Sequence, residues 1–121
     1  MRHFKRIALS LVLLCSAMQA ANAHALLLSA TPAVGSTQSS APPEIALQFS
    51  EAIEPRFSTV TVTNEAGTVI LTSKPALRAN DPSVLVVKLA TRLEAGSYKV
   101  RWRAVSVDTH QTEGGFSFAV K

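Results

Sequence analysis

Alternation of apolar and polar residues with a period of two governs this chain from residue 44 onward. Across residues 44–50, Ile45, Leu47 and Phe49 fall on one side and polar or small residues on the other, as expected of a strand with one buried face. Residues 58–64 interleave threonine with Val60 and Val62, and residues 68–72 read as the return strand across Glu65-Ala66-Gly67. Residues 83–89 set Leu85, Val87 and Leu89 facing one way. A turn at residues 93–96 leads into the longest strand, 97–105, with Tyr98, Val100, Trp102 and Ala104 inward and Lys99, Arg101 and Arg103 outward. Residues 115–120 close the chain with Phe116, Phe118 and Val120 aligned. Earlier, a short apolar strand after His24 runs into a turn at Pro32 and Gly35, then a Ser/Thr/Pro-rich connection to Pro42-Pro43. Residues 74–82, with two prolines and Asn80-Asp81, and the polar, glycine-rich residues 108–115 are expected to be irregular. About seven short strands, regular turns and no helix beyond the first residues predict an all-β fold. The expected form is an antiparallel Greek-key sandwich or barrel, immunoglobulin-like.

The first 23 residues read differently. Arg2, Lys5 and Arg6 precede an apolar run from Ile7 to Cys15, and Ala21-Asn22-Ala23 offers the small-x-small pattern of a cleavage site. Residues 1–23 are therefore expected to be a signal peptide, cut after Ala23, and residues 24–121 one exported domain. The apolar run is short of the roughly 20 residues that span a bilayer, and bulky Leu14 before Cys15 argues against a lipoprotein anchor. A domain of this length buries roughly 60–70% of its unfolded surface and folds without metal or disulfide staples. Processing also changes the charge. Three of the twelve basic residues lie in the leader, leaving nine against eight acidic ones, which is not the concentrated basic surface of a nucleic-acid binder. The single cysteine, Cys15, and both methionines, Met1 and Met18, leave with the leader, so the processed chain has neither thiolate nor thioether.

Cleavage after Ala23 would give His24 a free α-amino group, able to close a six-membered chelate with its own ring nitrogen on one metal ion. The processed chain has one further histidine, His110, preceded by Asp108 in Asp-Thr-His. Positions i and i+2 of an extended segment point the same way, so Asp108 and His110 can address one ion. Three nitrogens and a carboxylate oxygen suit tetragonal Cu(II), which also heads the divalent affinity order. Zinc takes the same atoms if it draws them into a tetrahedron. Without soft sulfur ligands the chain favours Cu(II), one ion per chain, over Cu(I). The plainer reading is a polar loop and an incidental N-terminal histidine, since Asp-x-His alone is a weak motif. Glu51 is a strand-end surface carboxylate, a distant ligand, or an acceptor that orients a histidine ring. Glu113 and the Lys99, Arg101 and Arg103 stripe read as solvated, and Trp102 as core.

Three blocks stand in order along the chain: His24-Ala25-x-Leu27 with Ser29, Pro32 and Gly35, then Phe49-Ser50-Glu51 with Pro55 and Phe57-Ser58. The closing block is Val105-Ser106-Val107-Asp108-Thr109-His110 followed by Gly114-Gly115-Phe116-Ser117-Phe118-Ala119-Val120. Together they resemble the CopC family of periplasmic copper-binding proteins. The resemblance implies a small β-sandwich that binds Cu(II) through His24, Asp108 and His110, the His24 amine completing a histidine brace. It implies a periplasmic carrier or buffer in copper homeostasis or resistance, not an enzyme, and a partner such as an inner-membrane copper transporter of the CopD kind. Some members add a methionine-rich loop for Cu(I). This chain has no methionine there and resembles the Cu(II)-only members. Two other readings are an oxygen-activating histidine-brace copper enzyme, which needs an aromatic substrate platform, and a metal-free structural module.

Overall fold

The computed structural model describes residues 25–121; the expected signal peptide and His24 lie outside the described residues. Among the described residues, nine strands form two sheets. They are β1 (Leu27–Thr31), β2 (Thr37–Gln38), β3 (Glu44–Phe49), β4 (Thr59–Asn64), β5 (Val69–Ile70), β6 (Ala76–Arg78), β7 (Asp81–Lys88), β8 (Gly96–Val105) and β9 (Gln111–Val120), with one 3-10 turn at Pro55–Phe57. One sheet has the order β1-β3-β7-β6 and the other β2-β9-β8-β4-β5. All pairs are antiparallel except β2 with β9, which is parallel. The all-β sandwich expected from the alternation is the observed fold.

The inward sets of both sheets interlock in one core. Ile45, Leu47 and Phe49 of β3 and Leu85 and Val87 of β7 face Val60 and Val62 of β4, Tyr98, Val100, Trp102 and Ala104 of β8, and Phe116, Phe118 and Val120 of β9. Phe49 meets Trp102 edge to face with centroids 5.1 Å apart, and Tyr98 stacks on Phe118 at 5.5 Å. Such aromatic pairs add about 0.5–1.5 kcal/mol beyond the area they bury. The Tyr98 hydroxyl donates to the Glu94 carbonyl at 2.6 Å, tying down the turn before β8. Lys99, Arg101 and Arg103 point outward and are exposed, as their phase requires.

Three expectations change. Residues 74–82 hold the short strand β6, a turn with Asn80 at φ 63°, and the start of β7, so this stretch is less irregular than its prolines suggest. Along β7 the burial is continuous from Val84 to Val87, because Val84 and Val86 form a second small apolar cluster with Ala46 on the other face of β3 and β7. Third, β9 starts at Gln111, and only residues 107–110 remain a loop. Gly114 looks like a loop signal, yet it sits opposite Trp102 in the β8–β9 ladder. A Cβ there would lie 2.5 Å from the indole Cζ2. The missing side chain is a packing requirement of Trp102.

Candidate metal centre

One end of the sandwich gathers the start of the described chain, the turn after β3 and the β8–β9 loop. Ala25 is fully buried and its carbonyl accepts the Thr112 hydroxyl at 2.8 Å. Leu26 N donates to Ser50 Oγ at 2.8 Å, and Ser50 N returns a bond to Leu26 O at 2.9 Å. Beyond Ser50, Ile53 bridges Ser106, Val107 N donates to Ala52 O at 3.1 Å, and Glu54 N donates to Val105 O at 2.8 Å. Buried Ser58 takes the Val105 amide at 3.0 Å and donates to Glu54 O at 2.8 Å. Every strand-end amide named here has a partner, the condition for irregular backbone to stay ordered at a core boundary.

The loop itself is tight. Ser106 N donates to His110 O and Thr109 N to Ser106 O, each at 2.9 Å, with Thr109 in the left-handed region at φ 73°. That conformation is uncommon for a β-branched residue and marks a held geometry. It brings the two predicted ligands together: His110 Nδ1 lies 3.1 Å from Asp108 Oδ2, with their side chains 51% and 40% exposed. The Ser106 hydroxyl donates to Asp108 Oδ1, and His110 N approaches the same oxygen at 3.4 Å. The Ser106 hydroxyl and then the His110 side chain hold the Asp108 carboxyl below its ordinary value of 3.8, against a weaker upward push from burial.

The 3.1 Å contact is a hydrogen bond between ring and carboxylate, and the same spacing is compatible with two donors to one ion. Two N/O donors about 2.0–2.2 Å from one metal, at a right angle, stand about 2.8–3.1 Å apart. Among the described residues, no group of three or more His, Cys, Asp or Glu side chains is assembled; Asp108 and His110 are the one predicted pair that the structure describes together. His24 lies outside the described residues, but its peptide neighbour Ala25 is bonded to Thr112, two positions from His110. The Glu51 backbone runs beside the Ser106–Val107 segment through Ala52 and Ile53, while its carboxylate is not gathered into a ligand group with Asp108 and His110. Glu113 is exposed on β9 opposite Arg103.

Two residues that sequence reasoning did not single out for the site shape it. Continuing the inward set of β8 past Ala104 lands on Ser106, and running the inward set of β9 back from Phe116 lands on Thr112. A hydroxyl on a core phase implies a buried hydrogen-bond partner, and that signal was available from alternation alone.

A family model described as the CopC domain matches residues 27–121. Copper resistance protein C of Pseudomonas syringae pv. tomato is 42% identical over 106 residues, spanning 84% of this chain and 83% of that protein. Among solved structures, PcoC of Escherichia coli, titled a methionine-rich copper resistance protein, superposes with a TM-score of 0.73 at 36% identity, covering 82% of this chain and all of that one. CopC of Methylosinus trichosporium OB3b superposes with a TM-score of 0.75 at 28% identity, covering 81% and 94%. Sequence and fold agree over the same region, and this chain belongs to the CopC family.

Proposed function

We propose that this chain, once cut after Ala23, is a periplasmic Cu(II)-binding protein. It holds one ion per chain between the His24 amine and ring, Asp108 and His110, and serves as a carrier or buffer in copper homeostasis or resistance. The observation that carries this reading is the Asp108–His110 pair at 3.1 Å, on the loop beside which Ala25 is anchored through Thr112. Anchoring residue 25 limits where the preceding histidine can reach. Copper is the cargo here, and its preference over zinc follows from the affinity order and the nitrogen-rich donor set.

The oxidation state follows from the same set. Past residue 18 the chain has neither Met nor Cys, so it lacks the soft donors that retain Cu(I), unlike a relative titled methionine rich. An enzymatic role is disfavoured because a substrate platform needs exposed aromatics. Phe49, Tyr98, Trp102, Phe116 and Phe118 are committed to the core, leaving Phe57 exposed. The acceptor that fits such a carrier is an inner-membrane copper transporter of the CopD kind.

The test is the electron paramagnetic resonance spectrum of processed protein with one equivalent of Cu(II), beside a variant carrying one extra residue before His24. A tetragonal, nitrogen-rich signal that changes in the extended variant, with weakened affinity, is expected. Identical spectra and affinities would remove the amine from the site and overturn the brace.

A further inference from the structure

We propose that Ser106 is a positioning residue that restricts Asp108 to binding copper through a single oxygen. The inference rests on the reading of Asp108 and His110 as copper ligands and adds how their geometry is set. Ser106 is 0% exposed. Its backbone is held from three directions, by Ser106 N to His110 O and Thr109 N to Ser106 O at 2.9 Å, and by the bridge to Ile53. The hydroxyl therefore sits at a fixed point beneath the loop, and from there it donates to Asp108 Oδ1 while lying 3.3 Å from His110 O.

The consequence is an asymmetry between the two carboxylate oxygens. Oδ1 faces two donors, the Ser106 hydroxyl and, at 3.4 Å, the His110 amide. Both present the positive end of a dipole, so a cation approaching Oδ1 meets repulsion and has a hydrogen bond to displace. Oδ2 also has a partner, the His110 ring Nδ1 at 3.1 Å. That ring is exposed and is itself a proposed ligand, so a metal ion takes the place of this contact, whereas the donors on Oδ1 are fixed by the buried Ser106 and the loop backbone. One oxygen is what a four-donor tetragonal site requires. A bidentate carboxylate instead raises the coordination number and suits larger oxygen-seeking ions such as Ca²⁺. Ser106 thus acts on selectivity as well as on affinity, through a hydroxyl that does not touch the metal.

Infrared spectroscopy reads this directly. The splitting between the asymmetric and symmetric carboxylate stretches is wide when one oxygen binds a metal and narrow when both do. The chain contains two aspartates, Asp81 and Asp108, so aspartate labelled with ¹³C at the carboxyl group in an Asp81→Asn background isolates Asp108. On adding one equivalent of Cu(II) to the processed protein, a shifted band pair with wide splitting is expected. In Ser106→Ala the splitting should narrow, the paramagnetic resonance parameters should move, and Cu(II) affinity should fall by about 10–100-fold. Ser106→Thr, which keeps the hydroxyl, should restore the wide splitting.

A narrow splitting with Ser106 in place overturns the proposal, and where Ser106→Ala does not fold, that measurement decides it. Unchanged splitting and affinity in folded Ser106→Ala also overturn it while leaving Asp108 as a ligand. If copper binds without shifting the Asp108 bands, Asp108 is no ligand, and the inference and the ligand assignment fall together.

Discussion

Asp108 illustrates how one side chain can be made a dependable anion while half in water. The Ser106 hydroxyl and His110 lower its proton affinity from the ordinary value of 3.8. A carboxyl depressed in the folded state contributes stability above its unfolded value and loses it as pH falls through the folded one. That window lies below pH 3.8, so Asp108 remains charged wherever an N-terminal amine of unperturbed pKa about 7.7 takes up a proton. On the proposed ligand set, weakening of copper binding between pH 8 and 5 is then expected from the nitrogen ligands, which must be deprotonated to coordinate. Chelator-competition titrations should show affinity falling at least about tenfold per pH unit once pH is well below the amine's value. Asp108→Asn should lower affinity across the range and leave that slope in place. A flat profile for the unsubstituted protein would count against nitrogen ligation.

At the scale of elements, the β8–β9 hairpin carries the candidate site, and its register depends on one glycine. Gly114 faces Trp102, whose ring fills the space a side chain would take. Gly114→Ala forces the indole or a strand to move, an overpacking change of about 1–3 kcal/mol. Urea unfolding followed by the fluorescence of Trp102, the chain's single tryptophan, should report both the lost stability and a shifted folded-state emission. A variant as stable as the parent would mean the hairpin tolerates a different Trp102 position. The long strands β3, β4, β7 and β8 were legible because half-buried strands write their burial into alternate residues. The two- and three-residue strands β2, β5 and β6 were not all legible, since so few positions contain no period. The first half of β9 was masked by Gly114 and Gly115, which resemble a loop in composition while Gly114 serves packing.

At the scale of the whole molecule, the candidate centre exists because segments far apart in the chain end at the same place. Residues 25 and 26 are tied to Thr112 and Ser50, and residues 52–54 to residues 105–107. Thr112→Val keeps the shape of that side chain and removes its bond to the Ala25 carbonyl. The fold should persist, with a loss of about 0.5–1.5 kcal/mol in urea unfolding. Cu(II) affinity should fall by more than this stability change alone would predict, because the anchor of the residue after His24 is gone. Unchanged affinity in competition titrations would show that the N-terminus reaches the site without it.

Local sequence was enough to specify the fold class, the composition of the core and the short roster of candidate metal ligands. Burial leaves a local period, and a chain with two histidines and neither Met nor Cys beyond residue 23 has few candidate ligands to offer. Tertiary structure alone decided that Asp108 and His110 meet at 3.1 Å, that Ser106 lies beneath them, and that Ala25 is fastened beside their loop. Those relations depend on strand register and on hydrogen bonds between residues tens of positions apart, and no local pattern of side chains encodes such distances.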